Sequence, residues 1–203
     1  IGKRQNPSLA FFFVGGIAAA AVVSPVFWLY GDALGRIPAS GWVLVVVTGI
    51  AELVYYAGLA GGYRRGDMSL VYPLARALPV LMVAGVNLAL GRGDEIGNVA
   101  LAGMVLVAAG CLLLPLADFR RVRGYVTPVT LFALVAALGT TGYTMIDDTA
   151  LRLLRGTETV GLDVTQVTLL YIALQTTSAT AMLGLGTLVM PPERRKLVTM
   201  FGS

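Results

Sequence analysis

The chain has 203 residues, 57% of them hydrophobic and only 13% charged, with a mean hydropathy of +0.80, so most of it cannot form the surface of a water-soluble domain. Its charges are clustered between apolar runs long enough for membrane helices, each of which needs about 20 residues to cross a hydrocarbon core of about 30 Å. A formal charge of +4, from 15 basic and 11 acidic residues with no long basic run, reads as loop charge and not as a nucleic-acid footprint.

Cutting at charged and Gly/Pro-rich breaks predicts an all-α, polytopic membrane protein with six helices in a single transmembrane domain, at about 8–30, 41–61, 69–91, 97–116, 128–150 and 164–190. The breaks fall near Arg36, Arg65, Arg92, Arg121 and Glu158. The runs are apolar on all faces and do not alternate with period two, which excludes a β-barrel. Lys3-Arg4 before the first run imitates a secretory leader, but the run continues through Val26, Phe27, Trp28 and Leu29, past the length of such a segment. The chain begins at Ile1, which suggests that residues precede it. Lys and Arg on alternate sides count ten (Lys3, Arg4, Arg64, Arg65, Arg120, Arg121, Arg123, Arg194, Arg195, Lys196) against four (Arg36, Arg92, Arg152, Arg155). The positive-inside rule then puts the N-terminal flank in the cytoplasm.

Several residues do not belong in lipid. In the second helix Glu52 shares a face with Tyr55 and Tyr56, at i+3 and i+4. It is either a structural acid paired with a neighbouring donor or a protonatable, substrate-binding group. The third helix carries Pro73 and Pro79, which free backbone carbonyls and predict a bend or break of the kind that lines transporter cavities. Arg76 between them either snorkels, pairs with Glu52 or holds an anionic group; Asn87 suits interhelical hydrogen bonding. The fourth helix contains Cys111, the single cysteine, so no disulfide framework is possible. The fifth carries Thr140, Thr141, Tyr143, Thr144, Asp147 and Asp148, with Asp147 the deeper acid and Asp148 suited to a solvated helix end. Its Asp pair lacks the further aspartates of a membrane prenyltransferase, so no enzyme is expected. Gly58 with Gly62, and Gly184 with Gly186, are small-residue packing sites. With no histidine and no GxGxxG, GxxxxGK[ST] or CxxC motif, no cofactor and no metal is expected.

The stretch Tyr63-Arg64-Arg65-Gly66-Asp67-Met68-Ser69-Leu70-Val71-Tyr72-Pro73-Leu74-Ala75-Arg76, together with Gly142-Tyr143-Thr144-Met145-Ile146-Asp147, resembles the drug/metabolite transporter superfamily, specifically its ten-helix EamA-type permeases. The six helices here would correspond to that family's second through seventh. Glu52 stands where related sequences often carry histidine, Asp148 stands in place of a glycine, and the family's first and last three helices have no counterpart. The resemblance implies a fold of two inverted five-helix repeats around a central cavity, in a plasma membrane such as a bacterial inner membrane. It also implies the orientation opposite to the one from the basic-residue count, and orientation stays open.

On this reading the chain is a secondary carrier of small metabolites or drugs, driven by protons. Glu52 and Asp147 are the expected proton or cation sites and Arg76 the carboxylate partner. Tyr55, Tyr56, Tyr72 and Tyr143 are the expected substrate lining, with Glu52, Tyr72, Arg76, Tyr143 and Asp147 converging on one cavity. The alternative is a transporter-like accessory subunit of a larger membrane assembly, without transport. The expected partners are the lipid bilayer, a small-molecule substrate, and other membrane subunits or a second copy that complete the protein surround; nucleic acid is not among them.

Overall fold

A computed structural model describes residues 8–65, 68–93, 97–113, 128–156 and 161–201, and every element it describes is helical. They are α1 (Leu9–Val23), α2 (Pro25–Leu34), α3 (Ala39–Arg65), α4 (Met68–Ala89), α5 (Asn98–Leu113), α6 (Pro128–Arg155), α7 (Val164–Val189) and α8 (Pro191–Phe201). α3, α6 and α7 are long and apolar enough to cross a membrane, and α1 with α2 makes a fourth if the bent pair counts as one span. Three or four of the six predicted helices therefore have full spanning character among the described residues. α5, with 16 residues, rises only about 24 Å. In α4 the described side chains begin at Leu74, and that stretch is also short. The expected breaks at Arg36, Arg65 and Arg92 coincide with helix ends, whereas those near Arg121 and Glu158 lie outside the described residues.

Three features depart from the sequence-based expectation. The first predicted helix is broken at Ser24-Pro25, where α2 turns 73° away from α1. Pro25 has no N–H to give the Ala21 carbonyl. The Ser24 hydroxyl donates to that carbonyl at 2.8 Å instead, with the Ser24 N–H at 3.4 Å, and the chain turns there. Of the bend or break expected at Pro73 and Pro79, the break is absent: α4 runs as one helix through both, since each proline removes a single backbone donor and a membrane helix tolerates that loss when its surroundings satisfy the carbonyl. The third is α8, which begins at Pro191-Pro192 just beyond the last predicted helix. Proline is compatible with the first turn of a helix, where the N–H groups have no intrahelical acceptor.

The described chain forms two compact units. One contains residues 54–65 of α3, α4, α5 and residues 128–141 of α6. In it Gly58 lets α3 approach α6 so closely that an added Cβ would lie 2.5 Å from the Ala136 nitrogen, and the Arg65 guanidinium sits 4.7 Å from the Phe132 ring centroid. The other contains α1, α2, residues 39–53 of α3, residues 142–155 of α6, α7 and α8. There α7 runs antiparallel to α1, with Gly184 against Phe13 and Thr180 against Gly16, and parallel to α3, with Gly186 against Leu53 and Ser178 against Gly49. Small residues at these crossings are what allow helices to pack when lipid offers no hydrophobic drive between them. The Ser178 hydroxyl, donating to the Val45 carbonyl at 2.6 Å, locks the α3–α7 crossing.

α2 closes one end of this second unit. Ala33 and Ile37 join Val45, Ala150, Leu154, Val167, Leu170, Tyr171 and Leu174 in a buried apolar cluster, with Phe27 and Tyr30 packed on it. Trp28 on its outer face is 90% exposed, a position suited to the aromatic belt of a membrane interface. Gly161, at φ +65°, takes a left-handed turn into Asp163, which caps α7 by accepting from the Thr165 and Gln166 N–H groups at 2.8 and 2.9 Å. Because α3 and α7 run parallel, residue 36 before α3 and α8 after α7 belong to opposite ends of the unit. Single cysteines at Arg36 and Arg195, with Cys111 replaced by serine, should therefore label with an impermeant thiol reagent from opposite sides of sealed vesicles. Labelling from one side would break this topology.

Candidate functional site

The second unit places polar groups from three helices in one layer. α3 contributes Thr48 and Glu52, and α7 contributes Tyr171 and Gln175; each pair is spaced i, i+4 and so lies on one helical face. α6 contributes Asp147. The layer exists because the backbones come close beside it: Gly49 meets Ser178 across α3 and α7, and at Gly142 an added Cβ would lie 3.5 Å from the Ala51 side chain across α6 and α3.

Asp147 accepts three hydrogen bonds. Its Oδ1 receives the Thr48 hydroxyl at 2.6 Å and the Tyr171 phenol at 2.6 Å, while its Oδ2 receives the Gln175 amide nitrogen at 2.8 Å. The same amide nitrogen donates to Glu52 Oε1 at 2.8 Å. One –NH₂ group thus joins two carboxylates, and because its two N–H bonds diverge by about 120°, the bridged oxygens stand about 5 Å apart. Thr48 and Tyr171 are buried, and Tyr171 is fixed by the apolar cluster under α2, so the donors to Asp147 are held rigidly. Among the described residues Glu52 is served by Gln175 alone. No arginine or lysine among the described residues pairs with either acid.

Such an arrangement can hold one mobile positive charge. Two unit charges about 5 Å apart repel by about 3 kcal/mol at an effective dielectric of ~20, and a proton or small cation arriving between them relieves that repulsion. Among the described residues no group of three or more His, Cys, Asp or Glu side chains comes together that could cage a metal ion.

Of the residues singled out from the sequence, Glu52 and Asp147 meet through Gln175. Tyr143, half-buried, lies on α6 in the same unit. Tyr55 and Tyr56 belong to the other unit, where their ring centroids are 4.8 Å apart. Arg76, also in that unit, is exposed; of the three alternatives given for it, pairing with Glu52 is not among the hydrogen bonds of the described residues, where Glu52 bonds to Gln175. The Tyr72 side chain lies outside those described. Asp148 takes the solvated alternative, bonded to Arg152 at 2.9 Å on the helix surface. Thr140 and Thr141 donate to the Ala136 and Ala137 carbonyls of their own helix, and Asn87 donates to the Val83 carbonyl of its own.

Sequence reasoning missed Thr48, Tyr171 and Gln175. The available signal was the i−4 spacing of Thr48 to Glu52 and of Tyr171 to Gln175. An amide in the middle of an apolar run is the natural partner for a lone carboxylate, since unsatisfied polar groups are costly in lipid. No protein-family model matches the chain, and neither a curated protein nor a solved structure matches it.

Proposed function

We propose that the chain is the membrane domain of a secondary carrier for small amphipathic metabolites or drugs, in which Glu52 and Asp147 form the proton- or cation-loading pair. It would work in a plasma membrane, such as a bacterial inner membrane. The observation that carries this reading is the pair of carboxylates joined by the Gln175 amide, with no basic side chain on either among the described residues. A structural acid in a membrane helix is ordinarily matched by a donor that neutralises it, whereas acids left to share a neutral amide retain the capacity to take up and release charge. The ten-helix inverted-repeat architecture belongs to the same proposal and rests on the resemblance of the 63–76 and 142–147 stretches to EamA-type permeases.

The test is uptake or efflux of a mixed metabolite panel by the protein reconstituted in vesicles with an imposed proton gradient. Glu52→Gln should abolish gradient-driven accumulation while leaving insertion, and exchange of substrate at equal pH, intact. Asp147→Asn should do the same. Unchanged accumulation in both variants would remove the pair from the mechanism. A native protein that carries nothing but purifies stably with other membrane proteins would favour the accessory-subunit reading.

A further inference from the structure

α8 follows the apolar α7 after a single extended residue, Met190, so it cannot leave the end of that span. Its one acidic residue points inward. Glu193 is 2% exposed; its Oε2 accepts the Ala10 N–H in the first turn of α1 at 3.4 Å, and its Oε1 accepts Lys196 Nζ at 2.8 Å. The neighbouring N–H of Phe11 is taken by the Ser8 side chain. A carboxylate at the positive end of α1 is in favourable electrostatic contact with the helix dipole, and this contact fixes how α8 is turned about its axis. Glu193, Lys196 and Leu197, at helical spacing, face the protein. The opposite face presents Arg194, Arg195 and Val198, all exposed, with Val198 67% exposed. Among the described residues neither arginine makes an ion pair or a side-chain hydrogen bond.

We propose that this outward face of α8 docks on anionic lipid headgroups. Arg194 and Arg195 bind the phosphates, and Val198, between them on the helix surface, enters the acyl boundary. Charge complementarity selects the partner: the face carries two unpaired cations and no acid, and it sits at the end of an apolar span where headgroups are the adjacent surface. Arginine suits phosphate because its planar fork of donors matches the oxygens. Anionic lipids enrich the cytoplasmic leaflet, so this docking would place α8 on the cytoplasmic side, in agreement with the ten-to-four distribution of basic residues.

The experiment uses the full chain with Cys111→Ser and Val198→Cys, labelled with an environment-sensitive fluorophore. It is reconstituted in phosphatidylcholine vesicles and in vesicles that also contain phosphatidylglycerol. The expected result is a blue-shifted emission and lower quenching by aqueous iodide in the anionic vesicles, reversed by high salt. Each basic residue near such a surface is worth about fivefold, so Arg194→Gln with Arg195→Gln should lower the docked-to-undocked ratio roughly 30-fold. Arg194→Lys with Arg195→Lys, which keeps the charge, should retain most of the response and shows that the pair of positions tolerates substitution. Equal emission and quenching in the two lipids would overturn the proposal, as would a glutamine pair that responds like the parent. A label already shielded in phosphatidylcholine would also overturn it, and would point to a protein covering this face.

Discussion

Replacing Gly58 by alanine should largely unfold the chain in detergent, whereas the same change at Gly15 should leave it intact. At Gly58 a new Cβ would stand 2.5 Å from the Ala136 nitrogen and 2.8 Å from the Phe132 carbonyl oxygen. Both are backbone atoms, so no side chain can turn aside, and α3 and α6 would have to separate within their unit. Overpacking of well-packed sites costs about 1–3 kcal/mol even when side chains absorb it; with two backbones in the way the cost should reach or exceed the top of that range. At Gly15 nothing lies within 4 Å of the corresponding position, and alanine is the better helix former. Thermal unfolding followed by size-exclusion profile or circular dichroism of the two variants checks this. A Gly58→Ala protein as stable as Gly15→Ala would mean that the helices do not approach as closely as described.

Gln175→Leu should have the largest effect on the polar layer, and an asymmetric one. Asp147 would keep the Thr48 and Tyr171 hydroxyls, while Glu52 would lose the one hydrogen bond it makes. A hydrogen bond to a charged group contributes about 1.5–3 kcal/mol, and the substitution removes two while leaving a carboxylate without a donor. Stability should fall by several kcal/mol, by about 3–6 kcal/mol on that figure, and accumulation should be lost. Adding Glu52→Gln removes the orphaned charge and supplies an amide, so the double variant should recover much of the stability but none of the gradient-driven accumulation. Comparing the single and double variants for unfolding and for uptake separates the two roles of Gln175. Equal destabilisation with and without Glu52→Gln would show that Gln175 does not serve Glu52.

The two acids were legible in the sequence because a carboxyl group inside an apolar run is costly in lipid and needs a partner there, whatever its role. Their partners were not. A threonine, a tyrosine and a glutamine occur in many membrane helices, and Thr140 and Thr141 illustrate why such residues mislead: their hydroxyls are satisfied one turn back in their own helix. Only the three-dimensional crossing of α3, α6 and α7 separates Thr48, which reaches another helix, from these. Proline is ambiguous in the same way, since a freed carbonyl can be satisfied with or without a turn, and packing decides which. At Pro25 the Ser24 hydroxyl takes the carbonyl and the turn is rewarded by the apolar cluster that includes Ala33, Val45 and Tyr171. Gly58 was legible as a packing position, but the backbone it admits is that of α6 in the same chain and not an added partner helix. α8 lay beyond the last predicted helix, since a double proline and a basic run carry none of the apolar patterning by which the other helices were marked.

The elbow at Ser24-Pro25 bears on the bilayer itself. α1 has 15 residues and rises about 22 Å, so it falls short of a hydrocarbon thickness of about 30 Å by roughly 8 Å. At this edge the deficit is met by lipid thinning or by α2, whose Trp28 and Leu29 side chains turn outward at the elbow. Hydrophobic mismatch costs a fraction of a kcal/mol per ångström, which over such a gap is comparable to the stability of a single helix contact. Acyl-chain length thus becomes a variable of the fold. Short-chain lipids relax the edge around α1, and long-chain lipids pull on the α1–α2 joint, where this wall of the second unit has no continuous helix to resist them.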